Sequence, residues 1–273
     1  MDERQIDISL VIVNYRTRGL LKNCLKGLFN SQQSVSFEVI VVDNDSRDGS
    51  VEMVIERFPC VKLIESKVNN GYVAGVNLGL KQAMGRYVLV MNTDLAFFGY
   101  ELDRFVEWMD SHPKAGMAGP KLLNPNGTWQ TSCRTWPTWK LAMYRRTPLG
   151  LTAKGKQAIH DHLMLSFDHN SSLTVDWLIG ACLIIRREAL EAVGGMDQRF
   201  FLYFEDVDWA RRFWSNGFEV WYSADIALVH YHQQESAGSK WYFGLFNKLG
   251  RIHLASGLKY FWKYRNEKKP IHH

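Results

Sequence analysis

The apolar run ISLVIV at residues 8–13 is followed directly by Asn-Tyr-Arg at residues 14–16. A run without polar interruptions is typical of a strand covered on both faces, as in a parallel sheet with helices on each side. Residues 18–29 then place leucines and a cysteine at helical spacing. The next apolar run, FEVIVV at residues 37–42, predicts a second strand, so the chain begins with a β-α-β unit.

The alternation of strands and helices continues to residue 94. Helices are predicted at residues 50–58 and 70–83, and strands at residues 61–64 and 87–91. Short connections between such elements favour right-handed crossovers and a doubly wound sheet. We therefore predict an α/β fold with a mostly parallel, Rossmann-like central sheet flanked by helices, followed by a C-terminal helical tail.

Beyond residue 94 the pattern is less regular. A hairpin is predicted at residues 117–131 around the turn residues Asn-Pro-Asn-Gly. Residues 133–170 show no clear period and are interpreted as a long loop or lid. The remaining predicted elements are strands at residues 173–177, 181–186, 218–222 and 226–230 and helices at residues 204–214 and 240–264.

Basic residues are concentrated near the C-terminus. Residues 240–273 contain eight Lys or Arg and one acidic residue, although the whole chain has a formal charge of only +5. The helix predicted there has an apolar and a basic face, which suits either a packed helix with a solvated face or a helix on an anionic membrane surface. Nucleic acid is disfavoured as a partner, because no zinc-ligand spacing or RNA-binding aromatic motif accompanies the charge.

The cysteines and the chain start bear on the compartment. Four scattered cysteines without a C-x-x-C pair predict buried thiols in a reducing compartment. The charged start MDERQID predicts that there is no secretory signal, and no apolar run approaches the ~20 residues that span a bilayer. We expect a cytoplasmic protein, with peripheral attachment to the inner face of the cell membrane left open.

Polar side chains follow three of the predicted parallel strands, at Asn14–Arg16, Asp43–Asp45 and Asn92–Asp94. Turn chemistry explains any one of these sets, because Asp and Asn bond their own backbone in turns. Three sets at one edge favour a binding site, since ligands of open parallel sheets lie at the carboxyl ends of the strands. The chain has no G-x-G-x-x-G and no P-loop motif, which disfavours a dinucleotide fold and a P-loop enzyme. In NNGYVAGVN, residues 69–77, the glycines suit a phosphate-binding helix start and close packing equally well.

Three carboxylates, Glu205, Asp206 and Asp208, lie within the aromatic segment FFLYFEDVDW. Asp208 suits a helix start, where the macrodipole favours a carboxylate. Glu205 or Asp206 suits a general base in a partly dry pocket. His230 ends an apolar strand, where a structural role is the ordinary one unless it converges with Asp94 on a divalent cation.

Taken in order, six segments resemble the inverting GT-A glycosyltransferases of family 2, and within them the rhamnosyltransferase-like branch. These segments are VIVNYR, VVDNDSRDGS, NNGYVAGVNLG, YVLVMNTDL, DWLIGACLIIRREALEAVGGMDQRFFLYFEDVDWARR and VHYHQQES. The resemblance covers residues 7–236. It implies a glycosyltransferase domain at residues 1–236, with a nucleotide-binding half at 1–98 and an acceptor-binding half at 99–236. Residues 237–273 would form a basic, aromatic helical tail.

The resemblance implies a dTDP- or UDP-sugar donor in the first half. Asp43 matches the family aspartate that accepts from the imide N–H of the base, and Asn14 and Tyr15 would line the base and ribose. The implied donor-binding residues are Val13, Asn14, Tyr15, Arg16, Asp43, Asp45, Asn70, Gly71, Asn77, Asn92, Thr93 and Asp94.

Asn92-Thr93-Asp94 falls at the family's D-x-D position, but the first aspartate is replaced by Asn92. One fewer negative charge weakens cation binding. The resemblance therefore leaves Asp94 and His230 as the implied ligands of Mg²⁺ or Mn²⁺.

Asp206 falls where the family carries its catalytic base, with Glu205 beside it as a second catalytic and acceptor-side residue. Trp177 and Gly180 match the acceptor-side strand. The implied reaction is transfer of L-rhamnose from dTDP-L-rhamnose, with inversion, to a lipid-linked or polymeric glycan acceptor in cell-surface polysaccharide synthesis. A UDP-galactofuranosyl or UDP-hexosyl transferase is the alternative, because uracil and thymine present the same imide N–H.

Two other functions remain as alternatives. A sugar-phosphate nucleotidyltransferase would need a glycine-rich, basic loop after the first strand, whereas NYRTRG has a single glycine. A non-catalytic nucleotide-sugar-binding protein has no need of adjacent carboxylates such as Glu205 and Asp206.

Overall fold

The computed structural model describes residues 6–231 and 248–270, and within these ranges strands and helices alternate through most of the first half. The strands are β1 (Ile8–Asn14), β2 (Phe37–Asn44), β3 (Lys62–Ser66), β4 (Tyr87–Met91), β5 (Leu95–Ala96), β6 (Ala115–Leu123), β7 (Cys133–Arg134), β8 (Leu173–Thr174), β9 (Trp177–Leu178), β10 (Cys182–Arg186) and β11 (Glu219–His230). The helices are α1 (Arg18–Asn30), α2 (Ser50–Arg57), α3 (Tyr72–Leu80), α4 (Glu101–Ser111), α5 (Trp139–Arg146), α6 (Ala153–His162), α7 (Arg187–Val193), α8 (Glu205–Ser215) and α9 (Lys248–Lys263), with a 3₁₀ turn at Pro148–Leu151.

The main sheet has the strand order β3-β2-β1-β4-β10-β6-β11-β5, and β8 pairs with β11. β3, β2, β1 and β4 are mutually parallel, and β6 and β11 are parallel to each other. β10 runs antiparallel to both of its neighbours, β4 and β6. The predicted α/β class with a mostly parallel, helix-flanked sheet and a C-terminal helix is confirmed.

β1 is buried on both faces, as its apolar run predicts. Ile8, Leu10 and Ile12 belong to the hydrophobic cluster on one side of the sheet, and Val11 belongs to the cluster on the other side. Because side chains alternate across a strand, a continuous apolar run supplies both layers at once. The carboxyl end of β1 is thereby fixed at the centre of the rim, where Asn14 pairs in register with Asp43 of β2.

Residues 133–170, predicted as a long loop, are largely helical. Thr138 accepts a hydrogen bond from the amide of Leu141 at the start of α5, and Thr152 accepts one from the amide of Gly155 at the start of α6. Threonine N-caps of this kind begin helices whose apolar periodicity is weak. The prediction of irregular structure was wrong because it rested on periodicity alone.

Three further sequence expectations need correction. The two strands predicted at residues 218–230 are the single strand β11, with a register irregularity between Ser223 and Ala227. The hairpin predicted at residues 117–131 is reduced to one bridge, between Leu123 and Trp129, because the first arm joins the central sheet instead. Cys60 is exposed, whereas the other three cysteines are buried as predicted.

α9 packs one face against the α/β core. Ser256, Gly257 and Tyr260 are buried, while Leu258 and Trp262 are exposed. The parts of the predicted C-terminal helix and of the VHYHQQES segment that fall in residues 232–247, and the last three residues, lie outside the described residues. Over the described ranges, every helix is too short or too polar to cross a bilayer.

Candidate active site

Side chains at the ends of β1, β2 and β4 form a continuous hydrogen-bonded chain. The amide nitrogen of Asn14 donates to Oδ1 of Asp43 over 2.8 Å, and the hydroxyl of Thr17 donates to Oδ1 of Asn14 over 2.7 Å. The Thr17 hydroxyl also lies 3.0 Å from that of Thr93. Oδ2 of Asp43 accepts from the amide of Ser46 over 2.9 Å. Hydrogen bonds therefore join three of the rim residues predicted from sequence, Asn14, Asp43 and Thr93.

Asp94 continues this rim to the end of β11. Oδ1 of Asp94 lies 3.2 Å from Nε2 of His230, which is 2 % exposed, and the main-chain carbonyl of Asp94 accepts from the amide of Tyr231. Nδ1 of His230 lies 2.8 Å from Oε1 of Gln130, whose amide nitrogen donates to the carbonyl of His230 and to Oδ1 of Asn124. These two bonds fix the orientation of Gln130, so Nδ1 of His230 is the donor to Oε1.

This hydrogen bonding decides what the Asp94–His230 pair can hold. With Nδ1 engaged by Gln130, Nε2 of His230 is the ring nitrogen that faces Oδ1 of Asp94. Oδ1 of Asp94 is buried and accepts no hydrogen bond from the described residues. One carboxylate oxygen and one imidazole nitrogen, oriented by a second hydrogen bond, fit a divalent cation that takes its other ligands from a diphosphate. The described residues contain no group of three or more His, Cys, Asp or Glu that could hold a cation alone.

The carboxylates Glu205 and Asp206 begin α8. Oδ2 of Asp206 accepts from the amide of Gly180 over 3.1 Å, and Oδ1 accepts from the amide of Val207 over 2.9 Å. Burial raises the pKa of Asp206 to about 6, and these two amides and the charge of Arg134 only partly oppose that rise. A base with a pKa close to neutrality is suited to take a proton from an alcohol.

Glu205 is even less able to ionise. It is 5 % exposed, and its Oε2 has no hydrogen-bond partner among the described residues. Burial, followed by repulsion from Asp206, raises the pKa of Glu205 well above its usual value. Of these two adjacent carboxyls, Glu205 therefore holds its proton more tightly and Asp206 ionises more readily.

Tyr72, the first residue of α3, lies between the two groups of carboxylates. Its hydroxyl donates to the carbonyl of Gly180 over 3.2 Å, and Gly180 in turn binds Asp206. Burial raises the pKa of Tyr72, and the charges of Glu205, Asp206 and Asp94 raise it further. The Asp94 end of the rim and the carboxylates of α8 therefore face one cleft.

The backbone before α8 is held in an unusual conformation. Tyr203 and Phe204 have φ angles of 69° and 67°, in the left-handed region that costs non-glycine residues free energy. α9 contacts this segment, because the hydroxyl of Ser256 donates to the carbonyl of Leu202 and the ring of His253 packs against both aromatic residues. The tail helix thus supports the turn that presents Glu205 and Asp206.

Asp208 joins α8 to α9. Its carboxylate is fully buried and binds Lys263, the hydroxyl of Tyr264 over 2.8 Å and Nε of Arg212 over 2.9 Å. Lys263 also lies 2.7 Å from Asp197. Asp208 occupies the first turn of α8, as the macrodipole argument predicts, and its three hydrogen-bonding partners compensate for its burial.

The outer part of the predicted donor site is more exposed. Tyr15 is 42 % exposed, and the guanidinium carbon of Arg16 lies over the Tyr15 ring, 5.2 Å from the ring centroid. Asp45 forms an ion pair with Arg47 at 2.7 Å, and Val13 packs against Gly75 of α3. These residues lie next to Asn14 and Asp43 in the chain. At the other side of the rim, the main-chain N–H of the half-buried Asn92 donates to the carbonyl of Ala181.

The glycine-rich helix start is used for packing. The amides of Asn70 and Gly71 donate to side chains of the chain itself, and the amide of Tyr72 donates to the carbonyl of Phe201. A Cβ at Gly71, whose φ is 91°, would lie 2.6 Å from Phe201. Of the two interpretations left open, close packing fits these contacts and a phosphate cradle does not.

Asn77 is placed apart from the rim. Its side-chain amide donates to the carbonyl of Met196 over 2.8 Å and accepts from the amide of the same residue over 2.9 Å. Both ends of the side chain are therefore engaged with the turn after α7. These contacts hold the side chain of Asn77 against that turn, and the donor contact that the resemblance implies for it stays a prediction.

Trp177 and Gly180 lie beside Asp206, on the second side of the cleft. The indole nitrogen of Trp177 donates to the carbonyl of Thr135 over 2.9 Å, and its backbone pairs with Arg134 of β7. A Cβ at Gly180 would lie 3.6 Å from Cβ of Asp206, an ordinary contact that places this position directly over the carboxylate. Thr17, Tyr72 and Arg134 belong to the same cleft and were not predicted, because single Thr, Tyr and Arg residues outside a motif carry no local signal.

Comparison with known proteins shows similarity to glycosyltransferases. Residues 9–194 match the family described as glycosyl transferase family 2. The chain is 28 % identical over 251 residues to the N-acetylglucosaminyl-diphospho-decaprenol L-rhamnosyltransferase of Mycobacterium tuberculosis, covering 85 % of this chain and 78 % of that protein. It is 22 % identical over 267 residues to the rhamnosyltransferase WbbL of Escherichia coli, covering 94 % of each.

The fold is also shared with solved structures. The mannosyltransferase PcManGT of Pyrobaculum calidifontis, in complex with GDP-Man and Mn²⁺, superposes with a TM-score of 0.61 at 19 % identity, covering 98 % of this chain and 67 % of that chain. At this identity the likeness concerns the fold, which is of the GT-A type. With a family match over most of its central sheet, the chain belongs to glycosyl transferase family 2 and is a glycosyltransferase.

Proposed function

We propose that this glycosyltransferase transfers L-rhamnose from dTDP-L-rhamnose, with inversion, to a lipid-linked glycan acceptor in cell-surface polysaccharide synthesis. The observation that carries the proposal is the position of Asp206, whose pKa burial raises to about 6 and which lies, like Asp94, close enough to Tyr72 to raise the pKa of that residue. The choice of sugar is supported by the names of the relatives, two of which are rhamnosyltransferases. A UDP-sugar donor is the second candidate, because the buried Asp43 would accept equally from uracil and thymine.

The donor would lie along the rim. Asp43 accepts from the imide N–H of the base, Asn14 and Tyr15 line the base and ribose, and Val13, Arg16 and Asp45 border them. Asn92 and Thr93 lie between this position and Asp94. The nucleotide diphosphate would then reach the Asp94–His230 pair, which leaves the sugar in the cleft below Gly180.

The chemical step needs one base. Asp206 takes the proton from the acceptor hydroxyl as the oxygen forms a bond to the anomeric carbon on the face opposite the leaving diphosphate. The bond between that carbon and the diphosphate oxygen breaks, and its electron pair leaves with the nucleotide diphosphate. A positioned base of this kind contributes about 10²–10⁴-fold to the rate. Inversion follows because the enzyme forms no covalent intermediate.

Glu205 and Trp177 would position the acceptor. A neutral Glu205 carboxyl can donate a hydrogen bond to a sugar oxygen, and the face of Trp177 offers an apolar surface to a sugar ring. Gly180 leaves open the space above Asp206. Residues 1–98 would bind the nucleotide, residues 99–236 the acceptor, and residues 237–273 would hold the protein at the inner face of the membrane as a cytoplasmic, peripheral enzyme.

Asp94 and His230 would hold Mg²⁺ or Mn²⁺. A divalent cation at this position would neutralise the charge that develops on the leaving diphosphate. The protein's part is to orient the two ligands, through the Gln130 hydrogen bond to His230 and the backbone bond between Asp94 and Tyr231.

The proposal is tested with the full chain, Mn²⁺ and a diphospholipid-linked N-acetylglucosamine as acceptor. Transfer is compared for dTDP-L-rhamnose, UDP-galactofuranose and UDP-glucose by product mass, and the anomeric configuration of the product is read by NMR. We expect transfer from dTDP-L-rhamnose with the anomer opposite to that of the donor. Retention of configuration would exclude the mechanism, and transfer only from a UDP-sugar would replace the donor.

A further inference from the structure

Three arginines lie on the acceptor side of the cleft, Arg134 at the end of β7 and Arg145 and Arg146 at the end of α5. Arg134 is close enough to Asp206 and Arg145 for each to alter its pKa. Nη1 of Arg134 donates to the carbonyl of Cys133 over 2.8 Å, and Nη2 of Arg146 lies 2.7 Å from Nδ1 of His253. Throughout residues 6–231 and 248–270, none of the three arginines forms an ion pair with a carboxylate.

Asp206 opposes part of the charge of this arginine cluster, through Arg134, whereas no carboxylate of the described residues pairs with Arg145 or Arg146. Burial lowers the pKa of Arg134 to about 10, so it remains protonated at neutral pH. Burial, followed by the charges of the arginines, lowers the pKa of His162 to about 3 and that of His253 to about 4, so both histidines are neutral. Three guanidinium groups beside a single carboxylate keep an excess of positive charge and have the donor geometry that binds phosphate oxygens.

The opposite end of α5 borders an apolar groove. Trp139 stacks on Phe261 of α9 with ring centroids 4.0 Å apart. The groove has a volume of about 560 Å³ and is lined by Trp139, Leu258, Lys259, Phe261, Trp262 and Arg265. Trp139, Leu258 and Trp262 are 57 %, 51 % and 70 % exposed, so large apolar surfaces face solvent here.

α5 connects the arginine cluster to this groove. Trp139 and Arg146 are its first and last residues, roughly 10 Å apart along the axis at the rise of an α-helix. The same helix therefore presents Arg145, which lies close enough to Arg134 to lower its pKa, at one end and an aromatic side chain to the groove at the other. A ligand with a charged head and a hydrocarbon chain matches that arrangement from one end to the other.

We propose that Arg134, Arg145 and Arg146 bind the diphosphate of a lipid-linked acceptor and that the groove between α5 and α9 receives the start of its hydrocarbon chain. The inference rests on the proposed function, because the acceptor hydroxyl must reach Asp206. It narrows the acceptor to a sugar carried on a lipid diphosphate. The arginines would hold the diphosphate while the sugar beyond it lies beneath Gly180.

The test measures binding to the full chain in EDTA, without donor, using farnesyl diphosphate, farnesol and inorganic pyrophosphate as probes. We expect Arg134→Gln, Arg145→Gln and Arg146→Gln each to weaken farnesyl diphosphate binding by about tenfold or more, since a charged hydrogen bond contributes that much. Farnesol binding should not change in these variants. Trp139→Ala should weaken farnesyl diphosphate and farnesol but not pyrophosphate.

The matched control is Arg104→Gln, which removes an exposed arginine from α4, outside the cleft. It should leave all three affinities unchanged. Thermal unfolding of each variant establishes that it is folded, and Arg145→Lys should recover part of the diphosphate affinity.

The inference would be overturned if farnesyl diphosphate bound no more tightly than farnesol or no more tightly than pyrophosphate. Unchanged binding of farnesyl diphosphate in a folded triple glutamine variant would also overturn it. Displacement of farnesyl diphosphate by dTDP or UDP would overturn it as well, because the arginines would then belong to the donor site. Because the assay contains no metal, donor or turnover, its failure leaves the proposed function standing. Conversely, absence of transfer from every nucleotide sugar would refute the proposed function without altering this binding result.

Discussion

Oδ2 of Asp206 accepts a hydrogen bond from the amide of Gly180 over 3.1 Å, so the first turn of α8 is tied to the residues that precede β10. Oδ1 is bound to the amide of Val207 in the same way. The carboxylate is thus fixed in one orientation, with its charge at the side of the cleft that Tyr72 closes. Because the orientation of the carboxylate is fixed, we expect a replacement of Asp206 to have a specific effect.

Replacing Asp206 by Asn should abolish most transfer and leave nucleotide binding intact. The amide cannot take a proton from the acceptor, so we expect kcat to fall by about 10²–10⁴-fold. Affinity for dTDP, measured by calorimetry, should stay at the wild-type value because Asp206 lies on the acceptor side. Glu56→Gln, on the exposed face of α2, is the matched control; wild-type turnover in Asp206→Asn would remove Asp206 from the mechanism.

Activity should depend on pH through the ionisation of Asp206. Burial raises its pKa to about 6, so the active, ionised form is lost as pH falls through that value. We expect kcat/KM to fall roughly tenfold per pH unit below it and to level off above it. Because the pKa of Glu205 is raised well above its usual value, Glu205→Gln should lower the rate without moving the acidic limb. If the acidic limb of the pH profile moved in Glu205→Gln, the ionisation of Glu205 would control the rate, and Glu205 and Asp206 would have exchanged roles.

Replacing His230 by Ala should raise the Mn²⁺ concentration required for activity. His230 would supply one of two protein ligands, and loss of a ligand weakens the cation without removing the diphosphate that also binds it. The measurement is a titration of activity with Mn²⁺ at saturating donor. His160→Ala, which alters an exposed histidine of α6, should leave the titration midpoint unchanged. If the Mn²⁺ titration curves of His230→Ala and the wild type coincide, His230 has a structural role.

Replacing Lys263 by Met should destabilise the protein. The fully buried carboxylate of Asp208 would keep Arg212 and the hydroxyl of Tyr264 but lose its ammonium partner, a charged hydrogen bond that contributes about 1.5–3 kcal/mol. The free energy of unfolding, measured in urea, should recover in part in the double variant with Asp208→Asn, because the group left without its ammonium partner is then neutral. Equal losses in the single and double variants would show that the packing of Lys263, and not its charge, matters.

The sequence predicts the first half of this molecule well because one signal dominates it. The apolar run of β1 has to be covered on both sides, and this requirement sets the parallel sheet and hence the rim that carries Asn14 and Asp43. For the proposed base, two adjacent carboxylates among aromatic residues limit the candidates to Glu205 and Asp206, and only the resemblance to the family selects Asp206.

The remainder depends on contacts between distant parts of the chain. No local pattern indicates that Lys263 reaches Asp208, that Tyr203 and Phe204 adopt left-handed conformations, or that Arg134 approaches Asp206. α5 and α6 begin at threonine caps and carry mainly polar surfaces, so periodicity did not reveal them. For the same reason the arginine cluster and its groove were visible only in three dimensions.

The antiparallel strand β10 in the middle of the sheet has a mechanical consequence. Its five residues, Cys182–Arg186, bond to β4 on one side, and it also pairs with β6 on the other, so β4 and β6 belong to one continuous ladder. A hinge motion that separated β4 from β6 would break backbone hydrogen bonds. We therefore expect substrates to enter and products to leave through movements of the loops above the rim, while the sheet beneath them keeps its shape.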